Sequence, residues 1–371
     1  MSVNHENQLV NTKVPIELLF TDFIPEEGTR DIPYFTERWY EHHKRFANKP
    51  VIRFSPHKQL YHYFMKRADF PSMYLDWYHT IFSSRNLVPP LSDTQIIDQR
   101  FVQYNIMKGA LSKKQTSYFQ QDPPLVKYNG NGGYFNLKDG HHRTAFLHCH
   151  GVKQVWVSMT QQDYDQWKNA EVLGSVLEVF QQQQRTLIYT PILHPSFMDL
   201  KSERDDIYPT RLDLILEYLN TTSITGKKVI DIGCNIGYYA RHFTREGAIV
   251  TGVEALTEHY ELAQRLNHLE RVYFDLRKER FETSNLIERY DIGLLLTVFY
   301  HMMKDVNARD AFLRKINQTV EEMLFWESGD QPELEKAILL GSTHFDHYEK
   351  LGITTGTGKT RELGVFRKSK G

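Results

Sequence analysis

Val229-Ile-Asp-Ile-Gly-Cys-Asn-Ile-Gly237 is an apolar run that ends in a glycine turn and feeds the helical pattern YYARHFTREG. A buried strand, a turn and a helix in that order form one unit of an α/β sheet, and ligands of such sheets bind beyond the carboxyl ends of the strands. Gly233 and Gly237 would let a ligand approach the backbone closely. Downstream, strand-like and helical runs alternate: AIVTGVEA, HYELAQRLNH, RVYFDL, YDIGLLLTVFYHM, ARDAFLRKINQTV and EEMLFWES. Alternation of this kind predicts a parallel, doubly wound sheet. Upstream, IYPTRLDLILEYLN predicts an amphipathic helix with Pro209 in its first turn and Leu212, Ile215, Leu216 and Leu219 on one face.

The spacing of acids narrows the ligand. Glu254 follows Asp231 by 23 residues and ends the next strand, about where a carboxylate meets the ribose hydroxyls of a bound nucleoside. The loop itself is not the G-x-G-x-x-G of a dinucleotide site. Asp231 would repel a diphosphate and attract a cation. The segment DIGCNIG resembles motif I of the class I S-adenosylmethionine-dependent methyltransferases, and the resemblance covers roughly residues 205–371. It implies that Asp231 and the turn Gly233, Cys234, Asn235 and Gly237 hold the amino-acid end of S-adenosylmethionine. It further implies that Glu254 holds the ribose, and Asp275 with Leu276, after the third strand, the adenine.

In the same resemblance YDIGLLLTVFYHM is the fourth strand and its turn, which places Thr297, Tyr300 and His301 near the transferred methyl group. Tyr300 or His301 could take the proton from an acceptor hydroxyl, and Glu327 at the end of the fifth strand is a further candidate. Gly352-Ile-Thr-Thr-Gly-Thr-Gly-Lys-Thr360 imitates a phosphate loop, but counting back from Gly358 puts Ile353 where that motif needs glycine. It reads instead as the turn of an antiparallel hairpin closing the sheet, from which Lys359 and Arg361 could reach an anionic substrate.

Residues 1–125 are rich in Tyr, Phe, His and Arg, with amphipathic helical patches at 38–46 and 58–67. LVKYNGNGGYFNL predicts a hairpin around Asn129–Gly133. After it come DGHHR, a helix closed by Gly151, and the strand QVWVSM. Asp139, Gly140, His141, His142 and Arg143 at a helix start make a plausible anion site. Pro124–Met159 resembles the ParB and sulfiredoxin-like superfamily, which implies a phosphate or nucleotide site, with ATP or another nucleotide as ligand. No upstream carboxylate pairs with it convincingly, Glu26 and Glu27 included. His141, His142, His148, Cys149 and His150 lack the i, i+4 spacing of helical metal ligands, so no metal is expected.

The chain has 371 residues, 40% hydrophobic and 25% charged, which is room for two or three domains with real cores. With 45 Lys plus Arg against 46 Asp plus Glu, no global polycation exists to hold duplex nucleic acid. Two distant cysteines make no disulfide framework and suit a reducing, cytoplasmic setting. The N-terminal residues lack a signal-peptide pattern. The most apolar stretch, 292–303, is well short of the ~20 residues that span a bilayer.

The reading is therefore an α+β ParB-like domain over 1–160, a helical connector over 161–206, and a Rossmann-like α/β methyltransferase domain over 207–371. The expected activity is methylation, O-methylation foremost, of a small polar or glycan-type acceptor. Three alternatives stand beside it: a kinase-methyltransferase whose first domain phosphorylates the acceptor, an RNA or tRNA methyltransferase, and a scaffold that binds cofactor without turnover.

Overall fold

The computed structural model describes residues 8–21, 41, 48–53, 56–84, 91–182, 187–204, 207–219, 222–356 and 358–369. The patch at 38–46 falls almost wholly outside the described residues, as do Glu26 and Glu27. The chain divides into two compact units, one of residues 1–130 and 134–168, the other of 131–133 and 169–371.

The first unit is α+β. Strands β1 (Leu9–Pro15), β2 (Leu19–Thr21), β3 (Val126–Asn129), β4 (Tyr134–Leu137) and β5 (Gln154–Thr160) alternate with helices α1 (Pro56–Phe64), α2 (Ser72–Ser84), α3 (Asp93–Ser112), α4 (Thr116–Gln121), α5 (His141–Cys149) and α6 (Gln161–Lys168). The predicted hairpin is β3–β4, antiparallel, with Asn129 opposite Tyr134. The patch at 58–67 is largely α1, whose Leu60 and Tyr61 are buried with Tyr74 and Ile96.

The second unit opens with α7 (Leu173–Gln182), the short parallel pair β6 (Leu187–Ile188) and β7 (Lys201–Ser202), and α8 (Arg211–Tyr218). Thr210 caps α8 in a reciprocal box with Asp213, so the T-x-x-D signal starts this helix and Pro209 lies just ahead of it. Leu212, Ile215, Leu216 and Leu219 are all buried, as their spacing requires. There follow β8 (Lys228–Ile232), α9 (Tyr238–Arg245), β9 (Ile249–Val253), α10 (Thr257–Leu269), β10 (Asp275–Arg277), β11 (Tyr290–Leu296), α11 (Val306–Thr319), β12 (Val320–Glu327), α12 (Pro332–Ser342), β13 (His347–Gly356) and β14 (Lys359–Arg367).

These last strands make one seven-stranded sheet in the order β10-β9-β8-β11-β12-β14-β13. The first five are parallel, and β14 joins β12 antiparallel as half of the closing hairpin β13–β14. The order reverses at β8, which has β9 on one side and β11 on the other. That is the switch point where the loops on either side part and leave a crevice.

The expected connector over 161–206 does not stand apart. Its first helix, α6, belongs to the first unit, whereas α7 sits in the second. Val176 and Phe180 of α7 bury against Leu266 and Leu269 of α10. At roughly 25 cal/mol per Å² of apolar surface removed from water, such burial ties a helix to its unit. Among the described residues no helix is long and apolar enough to cross a membrane.

Candidate functional site

A cavity of about 980 Å³ opens at the carboxyl ends of β8, β9 and β11. Its floor is the turn after β8. Gly233 has φ +70°, and a Cβ there would stand 2.7 Å from Val298 Cγ2, so only glycine closes this turn beneath the β11 loop. Gly237, at φ +79°, caps α9 with Phe274 and Arg241 packed against it. Asn235 also takes a left-handed conformation, at φ 52°. Its side-chain oxygen accepts from the Ile236 N–H at 2.8 Å, and its amide nitrogen meets His259 Nδ1 at 3.1 Å.

Glu254 stands where the spacing placed it. It is buried at the tip of β9 and lines the cavity. Oε2 accepts from the Asn235 N–H at 2.9 Å and Oε1 from the Leu256 N–H at 2.7 Å. Each oxygen keeps a second lone pair, so the carboxylate is held in place with acceptor capacity left.

Asp231 lies behind the turn, 3% exposed, with Oδ2 buried and without a hydrogen-bond partner. Burial above all, with the Glu254 charge adding, pushes its carboxyl up to about 7, although the Ala240 N–H and Arg211 pull the other way. An orphaned buried oxygen, a glycine turn that no side chain could replace and a poised carboxylate fit a cationic nucleoside.

The remaining cofactor candidates divide. Thr297, at φ 60°, lines the cavity. Cys234 is buried, and its sulfur would touch a Cβ at Gly252 within 3.0 Å; burial raises its thiol. Its side chain thus packs between strands rather than facing the cavity. Asp275 and Leu276 are corrected: they begin β10 instead of following it. Asp275 accepts from Arg277 Nε at 2.7 Å, and neither residue lines the cavity. Glu279, Arg280, Phe281 and Glu282 do, a few residues on.

The catalytic candidates also separate. Tyr300 and His301, in the 3-10 turn Phe299–Lys304, line the cavity with ring centroids 3.9 Å apart. Partial desolvation of the otherwise exposed ring, with Lys304 and Arg361, holds the imidazole of His301 below its usual range, against the opposing pull of Asp330. It is neutral near pH 7 and able to accept a proton. Glu327 is corrected. Fully buried and off the cavity wall, it accepts from Arg211 Nη1 at 3.2 Å, from Thr354 at 2.5 Å and from the Thr297 hydroxyl, and faces Arg204 Nη1 at 3.8 Å. A carboxylate so engaged positions its neighbours and is not a free base.

Arg361 lines the cavity, whereas Lys359 does not and pairs with Asp330 at 2.7 Å. In the first unit, Gly140 caps α5 at φ +90° with Pro124 pressed against it. Arg143 is taken by Asp122 at 2.5 Å and Asp139 at 3.2 Å. His142 meets the Tyr74 hydroxyl at 2.9 Å, and its ring packs on His57, with which and His141 it forms a cluster. Burial lowers His142 and His57 well below the usual imidazole range. The expected anion-binding cations are therefore engaged by protein groups or uncharged.

Sequence reasoning missed Tyr189, Arg204 and His259 as cavity residues. Tyr189 and Arg204 reach the wall because β6 pairs with β7 and the Arg204 N–H bonds the Tyr189 carbonyl at 2.9 Å. Nothing in the local pattern signals this; two-residue strands have no periodicity to read. Among the described residues no group of three or more His, Cys, Asp or Glu could hold a metal ion.

The strand order, the glycine turn at the switch point and the acid one strand over define a class I, S-adenosylmethionine-dependent methyltransferase domain. Residues 230–322 match the family described as "Methyltransferase domain". Among curated relatives, the ubiquinone biosynthesis O-methyltransferase of Vibrio vulnificus (strain YJ016) is 44% identical over 156 residues, covering 38% of this chain and 63% of that protein. That of Actinobacillus pleuropneumoniae serotype 5b (strain L20) is 31% identical over 100 residues, covering 25% and 42%. The chain thus spans less than two thirds of the length of these relatives.

Two solved structures share part of the chain. Magnesium protoporphyrin IX methyltransferase from Synechocystis PCC 6803 with bound SAM is 17% identical, with a TM-score of 0.36 and coverage of 43% of this chain and 76% of that one. The bifunctional kinase-methyltransferase WbdD is 20% identical, with a TM-score of 0.42 and coverage of 53% and 46%.

Proposed function

We propose that the protein O-methylates a small hydroxylated acceptor, using S-adenosylmethionine bound in the 980 Å³ cavity. The single observation that carries this reading is Glu254, clasped by two backbone N–H groups in the cavity wall with lone pairs to spare. Glu254 is the group to accept from ribose hydroxyls, Glu279 is a further acceptor on the cavity wall in the segment after β10, and Asp231, behind the turn, is the counter-charge for an ammonium. The cofactor supplies a methyl group on a positively charged sulfur, open to displacement by an oxygen nucleophile.

The chain's own part is to bind, orient and take a proton. His301, neutral and in the wall, accepts the hydroxyl proton of the acceptor, with the tilted ring of Tyr300 packed against it. Holding the two reactants in line supplies several kcal/mol by itself. O-methylation is further supported by the printed names of the curated relatives.

Calorimetry with S-adenosylhomocysteine tests the cofactor reading. Wild type is expected to bind, and Glu254→Ala to lose about 1–3 kcal/mol of affinity, the cost of removing a charged hydrogen-bond acceptor. Unchanged affinity in that variant would remove the reading's main support. For catalysis, His301→Ala should lower kcat by about a hundredfold, the low end for loss of a general base. Because partial desolvation lowers its pKa, the wild-type kcat/KM should rise with pH through a limb below the ordinary imidazole value and then stay level. A His301→Gln variant that kept this limb would assign the proton elsewhere.

For the first unit we propose a phosphate or nucleotide role, supported by the resemblance of Pro124–Met159 and by the start of α5, where the cap residue Gly140 brings no side-chain acceptor. The engagement of Arg143 by Asp122 and Asp139 weighs against it.

A further inference from the structure

We infer that the acceptor carries an anionic group, a carboxylate or a phosphate, and that Arg361 binds it beside Tyr300 and His301; this rests on reading the cavity as the methyl-transfer site. Arg361, on β14, is 5% exposed and lines the cavity. Nη1 donates to the Ser328 carbonyl at 2.7 Å, the guanidinium lies 5.5 Å from the centre of the Tyr300 ring, and Nε has no acceptor. Among the described residues no carboxylate forms an ion pair with it.

The contrast with other buried arginines of this unit is instructive. Arg204 and Arg211 share Glu327, and Arg241 and Arg245 share Glu270 at 3.2 and 2.5 Å. Arg280, also on the cavity wall, pairs with Glu282 at 3.5 Å. Two acids that feel the charge of Arg361 are committed to other partners: Glu335 accepts from the Gly329 N–H at 3.0 Å, and Asp330 holds Lys359.

A buried cation without a direct ion-pair partner is costly to keep. Its fork matches a carboxylate or phosphate with two parallel hydrogen bonds. Arg361 also lines a second cavity, of about 410 Å³, on the hairpin side, so both faces of its surroundings are open to a ligand. The anion takes no part in bond making. A hydroxyl oxygen of the same molecule gains the methyl group while His301 takes its proton.

The experiment measures binding to the full chain saturated with S-adenosylhomocysteine. Two probe pairs each set an anionic member against a neutral one: 3-hydroxybenzoate against the near-isosteric 3-hydroxybenzamide, and glycerol 3-phosphate against glycerol 3-(dimethyl phosphate). In wild type, at least one charged probe should bind tenfold or more tightly than its neutral partner, and the discriminating pair tells carboxylate from phosphate. Arg361→Gln should erase that ratio, and Arg361→Lys should keep part of it, both with S-adenosylhomocysteine affinity within twofold of wild type. Equal binding of charged and neutral probes by wild type, including no binding of either, overturns the inference without needing a variant. So does a ratio that survives Arg361→Gln. Failure of wild type to bind S-adenosylhomocysteine would instead remove the methyl-transfer reading beneath it.

Discussion

Asp231→Asn is expected to stabilise the ligand-free protein by about 4 kcal/mol above pH 7, from 1.36 kcal/mol per pKa unit, and to weaken cofactor binding. The carboxyl is raised from 3.8 to about 7 chiefly because burial penalises its charged form. The sign follows from proton counting. Between about pH 4 and 7 the folded chain keeps a proton that the unfolded chain releases, so stability falls as pH rises through that window. Asparagine has no proton to lose, and its curve should lack this fall.

Melting temperature against pH for both proteins checks the difference; parallel curves would show that Asp231 is not held protonated. The same residue should connect stability to binding. The ammonium at a ligand's amino-acid end favours the ionised carboxylate, so S-adenosylhomocysteine binding to wild type near pH 6 should release a proton, seen as a buffer-dependent heat, and binding to the asparagine variant should not. An acid kept at a stability cost behind the glycine turn of a cavity is what a binding site, rather than a core, requires.

Glu327→Ala should destabilise the protein by about 3–5 kcal/mol, the usual cost of breaking a buried ion pair from one side. The side chain is the shared counter-charge of Arg204 and Arg211 and the acceptor for two threonines, one of them the left-handed Thr297 of the cavity wall. Its loss removes the shared carboxylate from two buried guanidinium groups. Urea unfolding gives the stability directly. A general base in that place would behave otherwise: Glu327→Gln would abolish turnover with the unfolding midpoint unmoved. The position of Glu327 predicts the opposite pairing, a lowered midpoint accompanied by a looser cavity wall.

How far the fold was legible depends on periodicity. The run 229–237, the alternation after it apart from RVYFDL, whose strand begins only at Asp275, and the four apolar positions of α8 are local patterns that became the elements they suggested. The hairpins β3–β4 and β13–β14 were legible from their glycines. Asp275 was misread by position: the acid that the third strand brings toward the cavity comes later, at Glu279, because β10 ends only at Arg277. In DGHHR the residue types suited an anion, yet Asp122 and Tyr74, distant in sequence, claim Arg143 and His142.

Covalent order alone determined the glycine turn, the acid at its base and the carboxylate one strand away, because strand length and the strand-helix-strand crossover convert residue spacing into position across neighbouring strands. Side-chain neighbours across the sheet were decided only by folding. Whether Glu327 is a base or a counter-charge, and whether Arg361 is paired or left open, depends on which charges burial brings within a few ångströms of each other. That distance is set by packing between β7, β11, β12 and the closing hairpin, to which no spacing along the chain corresponds.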